Sequence, residues 1–215
     1  MRTIHLSILG VFVSSLVFGV YYPPDWAVTE YHALYRQVQE TPDSATANFE
    51  LAMNYAYTGR VLKGLDTLKK VDALDPDFSG KIVAYYQAKR KADPAVWQHA
   101  FKLGFGLYFD GKKEAAEAAF HAVLDLEPEH VWAMGYIGLI RWEANDYDAV
   151  LDWCQQALDI HYDLAAIHFL IAEAYAAKDK GFRAFSHRAR AASLLAEEKL
   201  AQSHIYGDPD TPDDE

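Results

Sequence analysis

The sequence predicts an all-α fold in which helix-turn-helix pairs stack into a solenoid, with one extra helix interrupting the array and a hydrophobic segment in front. Two observations carry this. Ala, Leu, Glu and Lys fill most of a 215-residue chain that has only 12 glycines and 8 prolines, and alternating β-branched runs are scarce beyond the N-terminus. In addition, the order of small and large residues in Gly111 to Pro128, GKKEAAEAAFHAVLDLEP, recurs elsewhere at fixed offsets.

Residues 1–24 read as a signal-anchor or signal peptide. Leu6 to Tyr22 carries no charge, and Ile4 to Tyr22 is just long enough as a helix to span a hydrocarbon core of roughly 30 Å. Arg2 precedes the segment, and Asp25 and Glu30 come after it, so the charge bias leaves the N-terminus inside and the remainder outside. The expectation is an inner-membrane single-pass protein with its repeats on the periplasmic side, or a periplasmic protein if the segment is cleaved. Val17-Phe18-Gly19 is a small-residue cleavage candidate, whereas Tyr21, Tyr22 and Trp26 suit an interfacial aromatic belt, and both readings stay open.

A leading helix comes next within 25–44, running from Trp26 to Glu40 with Tyr31, Leu34, Tyr35 and Val38 at helical spacing. The recurring pattern then begins. Counting back from Pro128 gives Leu103, Gly104, Leu107, Gly111, Ala116, Phe120 and Val123; counting back from Pro76 gives Leu51, Ala52, Tyr55, Gly59, Gly64, Leu68 and Val71 at the same offsets. A third window from Val131 places Ile137, Gly138, Arg141, Asn145, Val150, Cys154 and Ala157 there, with Tyr162 where proline stood. A fourth has Ile171, Ala172 and Tyr175 and then loses register, because Gly181 comes about two residues late.

These residues resemble the tetratricopeptide repeat family, a helix-turn-helix unit of about 34 residues. The units are 45–78, 97–130, 131–164 and a degenerate fourth unit or capping helices at 165–200, with the inserted helix in 79–96 and an acidic tail at 201–215. Small residues such as Ala52, Gly104, Gly138 and Ala172 stand where two helices cross closely, with Gly64 and Ala116 as their partners. Most of the insertion, Lys81 to Ala92, reads as a helix ended by Asp93-Pro94. One extra antiparallel helix reverses everything after it, so a local break is expected, with the helix packed across the seam or projecting to one side.

The resemblance implies that inner-face residues come from the first helix of each repeat. Those positions hold Phe49, Met53 and Tyr57, then Phe101, Phe105, Tyr108 and Phe109, then Trp132, Leu139 and Trp142, and finally Phe169 and Glu173. This is an aromatic groove for an apolar protein segment, unless the inserted helix or the flanking helices bury it. The lysine, asparagine and arginine clamp by which some relatives hold a chaperone's C-terminal carboxylate is missing: Phe49, Met53, Phe101 and Phe105 occupy those places, with only Lys102 and Asn54 nearby.

Other chemistries find little support. A net charge of −11 repels nucleic acid. The single cysteine, Cys154, excludes an internal disulfide and falls at a packing position. His161 and His168, two helical turns apart, would need partners from another element to bind a metal, and no HExxH, GxSxG, phosphate-loop or GxGxxG motif is present. No catalytic residue, cofactor, metal or small-molecule substrate is expected. The reading is a tethered or exported scaffold that assists an envelope complex. Its alternatives are an obligate structural subunit of a membrane complex and an accessory domain to an enzyme encoded elsewhere.

Overall fold

A computed structural model of the chain describes residues 21–206, apart from the side chains of 202–204. The hydrophobic segment expected at 4–22 lies outside these residues except for its last two. The tail expected at 201–215 is corrected at its start: 201–206 continue the last helix to Tyr206, which is buried, and 207–215 lie outside the described residues. Among the described residues there are ten helices and no strand: α1 (Asp25–Glu40), α2 (Ala45–Tyr57), α3 (Val61–Leu74), α4 (Phe78–Ala92), α5 (Trp97–Phe109), α6 (Lys113–Leu124), α7 (Val131–Glu143), α8 (Tyr147–Ile160), α9 (Ala165–Ala177) and α10 (Gly181–Tyr206). None of them is long and apolar enough to cross a membrane.

Four helix-turn-helix hairpins, α2/α3, α5/α6, α7/α8 and α9/α10, repeat along the chain, and the last three stack in order. Their first helices start at 45, 97, 131 and 165, and each is 13 residues long. A left-handed residue turns the chain at the same place in every one: Gly59 (φ 84°), Gly111 (φ 75°), Asn145 (φ 60°) and Asp179 (φ 56°). Glycine, asparagine and aspartate tolerate this conformation better than other residues do. The fourth unit therefore keeps its register: Asp179 occupies the turn position that the sequence pattern suggests for Gly181, and Gly181 instead opens α10. Ala184 and Ala191 then fall at the offsets of Ala116 and Val123, and both are buried.

Small residues set the crossing of each hairpin. A Cβ on Gly104 would lie 2.9 Å from the Phe120 ring, and one on Gly138 would lie 3.0 Å from Cys154 Sγ and 3.3 Å from Leu170. Gly64 sits over the Ala52 carbonyl in the same way. Helix starts are held by side chains that accept from backbone N–H groups: Ser44 from Ala47, His130 from Ala133 and Asp146 from Ala149.

The inserted helix α4 packs across the seam. Phe78, Ile82, Val83 and Tyr86 are buried, with Phe78 and Tyr86 against Phe49 of α2, and Ile82 and Val83 over Gly106 of α5. Glu50 of α2 pins it from below, accepting from Tyr86 and from Lys102 Nζ of α5 (2.5 Å). With α4 in place the chain direction flips, and α2 lies antiparallel to α5. Tyr57, at the end of α2, meets Trp97 and Phe101 at the start of α5. Replacing Gly138 with valine is expected to destabilise the fold by about 1–3 kcal/mol through overpacking against Cys154 and Leu170. Thermal denaturation followed by circular dichroism reads this as a lowered midpoint with unchanged low-temperature helicity.

Candidate partner-binding site

The groove expected on the first helices is largely closed. Phe49, Met53, Tyr57, Phe101, Phe105 and Trp132 are between 0% and 6% exposed and belong to the core. The physical reason is the reversal at α4: the first hairpin folds back over the inner side of α5 and α7. Tyr136 of α7 donates from its hydroxyl to the Ala56 carbonyl of α2 (3.2 Å), and the Trp132 indole lies directly against Gly59. Between them Phe101, Phe105, Phe120 and Tyr136 pack in edge-to-face and stacked pairs with centroids 4.6–5.7 Å apart. This burial holds the Tyr136 hydroxyl well above the ordinary tyrosine range.

The remaining inner-face positions are open to different degrees. Tyr108 is half-buried and donates to Glu143, which also pairs with Lys113 (2.7 Å), so the ends of α5 and α7 are tied. Leu139 is half-buried. Phe109, Trp142 and Phe169 are exposed at 47%, 38% and 54%, one on each of the consecutive first helices α5, α7 and α9. Glu173, lower on α9, is paired with Arg188 (2.8 Å). These positions are what remains available of the expected groove.

The two residues nearest to a carboxylate clamp are committed internally. Lys102 is buried against Glu50, and Asn54 donates to the Ala27 carbonyl and to Glu30, each at 2.9 Å. Asn54 also accepts from Arg60 Nη2 at 3.0 Å. The cluster around Arg60 is one that sequence reasoning missed. Arg60 is 5% exposed, and its guanidinium carbon sits 3.4 Å from the Tyr206 ring centroid, 4.2 Å from Tyr31 and 4.5 Å from Tyr55. Three tyrosines from α1, α2 and α10 thus enclose one cation, and burial lowers its pKa. Only the oddity of an arginine straight after the turn at Gly59 could have signalled it, since its aromatic partners reach from 29 residues before it to 146 after it. Beside it a water-sized cavity of about 20 Å³ is lined by Tyr21, Thr58, Glu198 and Ile205. Burial there pushes the Glu198 carboxyl up to about 7.

The histidines and the cysteine also have structural places. His168 Nε2 contacts the Tyr162 carbonyl and its Nδ1 faces His187 Nδ1, both at 2.9 Å, which locks α9 to α10. His161 packs against Tyr21. Among the described residues no group of three metal-ligating side chains comes together. Cys154 is fully buried over Gly138, and burial pushes its thiol up to about 12.

No family model and no curated protein matches the chain. Among solved structures, "Crystal structure of MamA" is 16% identical with a TM-score of 0.48, covering 79% of this chain and 89% of that one. "Crystal structure of MamA protein" is 18% identical at 0.44, covering 85% and 87%. "MamA 41-end from Desulfovibrio magneticus RS-1" is 15% identical at 0.44, covering 78% and 85%. TM-scores this low assign neither a family nor a function.

This geometry carries two expected outcomes. Arg60→Lys retains the charge but cannot span three rings and two side-chain acceptors, so it is expected to loosen the end of α10 as Arg60→Ala does. Amide exchange at 195–206 reads this as lost protection, while α5 to α8 keep theirs. The second concerns His130, whose pKa is lowered to about 4 because it is buried between Trp97 and Phe101. Its neutral Nδ1 caps α7, so the folded state favours the unprotonated form. That contribution is present above about 6.5 and is lost as pH falls toward 4. The melting midpoint is expected to drop across this window less steeply in His130→Asn, which retains a capping acceptor.

Proposed function

We propose that this protein is a non-enzymatic scaffold that holds an apolar segment of a partner protein against Phe109, Trp142 and Phe169, and that residues 4–22 tether it to the inner membrane with the repeats outside the cytoplasm. The observation that carries the reading is the presence of these three exposed aromatics on consecutive first helices of a rigid stack. Single exposed apolar residues are ordinary, but Phe109 and Trp142 stand at the ends of α5 and α7 and Phe169 about two turns nearer the start of α9, so the three form an oblique ladder that an extended or helical segment can track.

Magnitudes fix what such a ladder can do. At about half exposure the three rings offer roughly 300 Å² of apolar surface, or about 7 kcal/mol gross at ~25 cal/mol per Å². Association costs of about 4–15 kcal/mol consume most of this. The ladder alone therefore supports weak binding, and confinement to a membrane plane beside similarly anchored partners supplies the effective concentration that makes it productive. Burial of Phe101 and Phe105 contributes rigidity, since the exposed rings stand on a core that does not rearrange.

The test is affinity purification of the full-length protein from native membranes beside a Phe109→Ala, Trp142→Ala, Phe169→Ala variant. The expected result is loss of a specific partner at unchanged helicity and an unchanged melting midpoint. Retention of that partner removes the ladder as the site. Phe105→Ala serves as the contrast: it is expected to lose about 3–5 kcal/mol of stability, because its ring is core. Protease treatment of intact spheroplasts tests the topology, and protection of the repeats would overturn the tethering part.

A further inference from the structure

α10 is apolar on two opposite faces. Its inward face, Ala184, Ala191 and Leu194, is at most 2% exposed and packs on the stack. Its outward face carries Phe182, Phe185, Ala189, Ala192, Ala196 and Leu200, all exposed, with Phe182 at 87%, Phe185 at 69% and Leu200 at 70%. The spacing of 3, 4, 3, 4 and 4 puts all six on one stripe, the seam spacing of a helix made to pair with another helix. Residues 207–215, GDPDTPDDE, bring no apolar side chain larger than proline to cover it.

The order of sizes along the stripe names the occupant. It runs large, large, Ala, Ala, Ala, large, with its midpoint near residue 191. Laid antiparallel against a second copy, Phe182 meets Leu200, Phe185 meets Ala196, and Ala189 meets Ala192. Each large side chain of one copy thus lies over a different position of the other, and alanines occupy the crossing, where helix axes approach to about 8 Å. A surface that complements itself in this way is what an isologous two-fold interface requires. The flanks permit it. Ser186 and Ser193 border one side; on the other stand Arg188, paired with Glu173, and the exposed Lys199, whose two copies lie at opposite ends of an antiparallel pair.

We infer that α10 is a homodimerisation helix, pairing antiparallel with α10 of a second copy through Phe182, Phe185, Ala189, Ala192, Ala196 and Leu200. The stripe offers about 500–600 Å² per copy, near the roughly 1,000 Å² total at which specific interfaces begin, so the dimer is weak and concentration-dependent. The stripe lies on α10 and the ladder on α5, α7 and α9; Phe169 stands one turn from Glu173, the partner of Arg188, so the two surfaces border each other there and are tested by separate substitutions.

The test uses the full-length chain in the membranes of cells expressing it. Cys154 is fully buried, so an introduced cysteine is the accessible thiol. Ala189→Cys, close to the two-fold axis, is expected to give a covalent dimer with a short bismaleimide. Co-expressed Phe182→Cys and Leu200→Cys chains are expected to link to each other. Phe182→Cys alone is expected not to link, since its two copies stand about 25 Å apart in an antiparallel pair. Adding Phe182→Asp and Phe185→Asp to Ala189→Cys should abolish the link. Sedimentation of the purified chain should then show at least a tenfold weaker dimer at unchanged helicity. Absence of the Ala189→Cys link, its persistence in the aspartate variant, or a Phe182→Cys self-link each overturns the inference. So does resistance of Ala189→Cys to a monofunctional maleimide in a monomeric chain, which would show that residues 1–20, a lipid or another protein covers the stripe.

Discussion

The arrangement of the whole molecule depends on parity. Between the first hairpin and the second there is one helix, α4, instead of none or two, so the polarity of the chain reverses at that point. An uninterrupted array keeps its first helices parallel and leaves their inner faces as a continuous open surface. Here α2 opposes α5 and α7, and the face that would have lined a groove becomes one side of a sandwich. Burying Phe49, Met53 and Tyr57 against Phe101, Phe105 and Trp132 removes six large side chains from water, and this area holds the first hairpin in place. The hydroxyls caught in the closure are paired: Tyr136 reaches Ala56, Tyr86 reaches Glu50 and Tyr57 reaches Glu30.

Most of the helical architecture was legible in the sequence, for a local reason. The hairpin turn needs a left-handed residue, the crossing needs a small one, and the stop needs proline or a polar break, so each repeat writes the same marks at the same offsets. The fourth repeat shows how that reading can go astray. Gly181 stands out because glycine is the commonest residue at such a turn, but Asp179 takes that conformation, as Asn145 does in the third unit. The helix beyond this turn also departs from the pattern for a physical reason. Where Leu68 and Phe120 fill space toward the next repeat, α10 carries Arg188, and among the described residues no further hairpin stacks on that side.

The candidate surface was less legible. Helical periodicity locates a face but does not say whether solvent or another helix lies opposite. Phe105 and Phe109 are one helical turn apart on the same stripe, and one is 6% exposed while the other is 47%. The difference is set by Tyr136, 31 residues downstream of Phe105, which no local pattern connects to it. Arg60 was hidden for the same reason. Two of its three tyrosines come from the opposite ends of the described chain, and a buried guanidinium is stable there only because all three arrive together with Asn54 and Thr58.

The contact between Arg60 and Tyr206 gives the chain a timetable. A plain repeat stack folds by neighbours, so each hairpin is complete once the next has docked. In this molecule the first hairpin keeps a solvated cation on its flank until the last helix of the stack has been synthesised and wound, because the ring that covers it closest comes 146 residues later. Closure over that span carries the entropy of a long loop, which is slow to form and gains nothing until both ends are in place. During synthesis, therefore, the N-terminal hairpin waits incompletely covered until Tyr206 docks on Arg60.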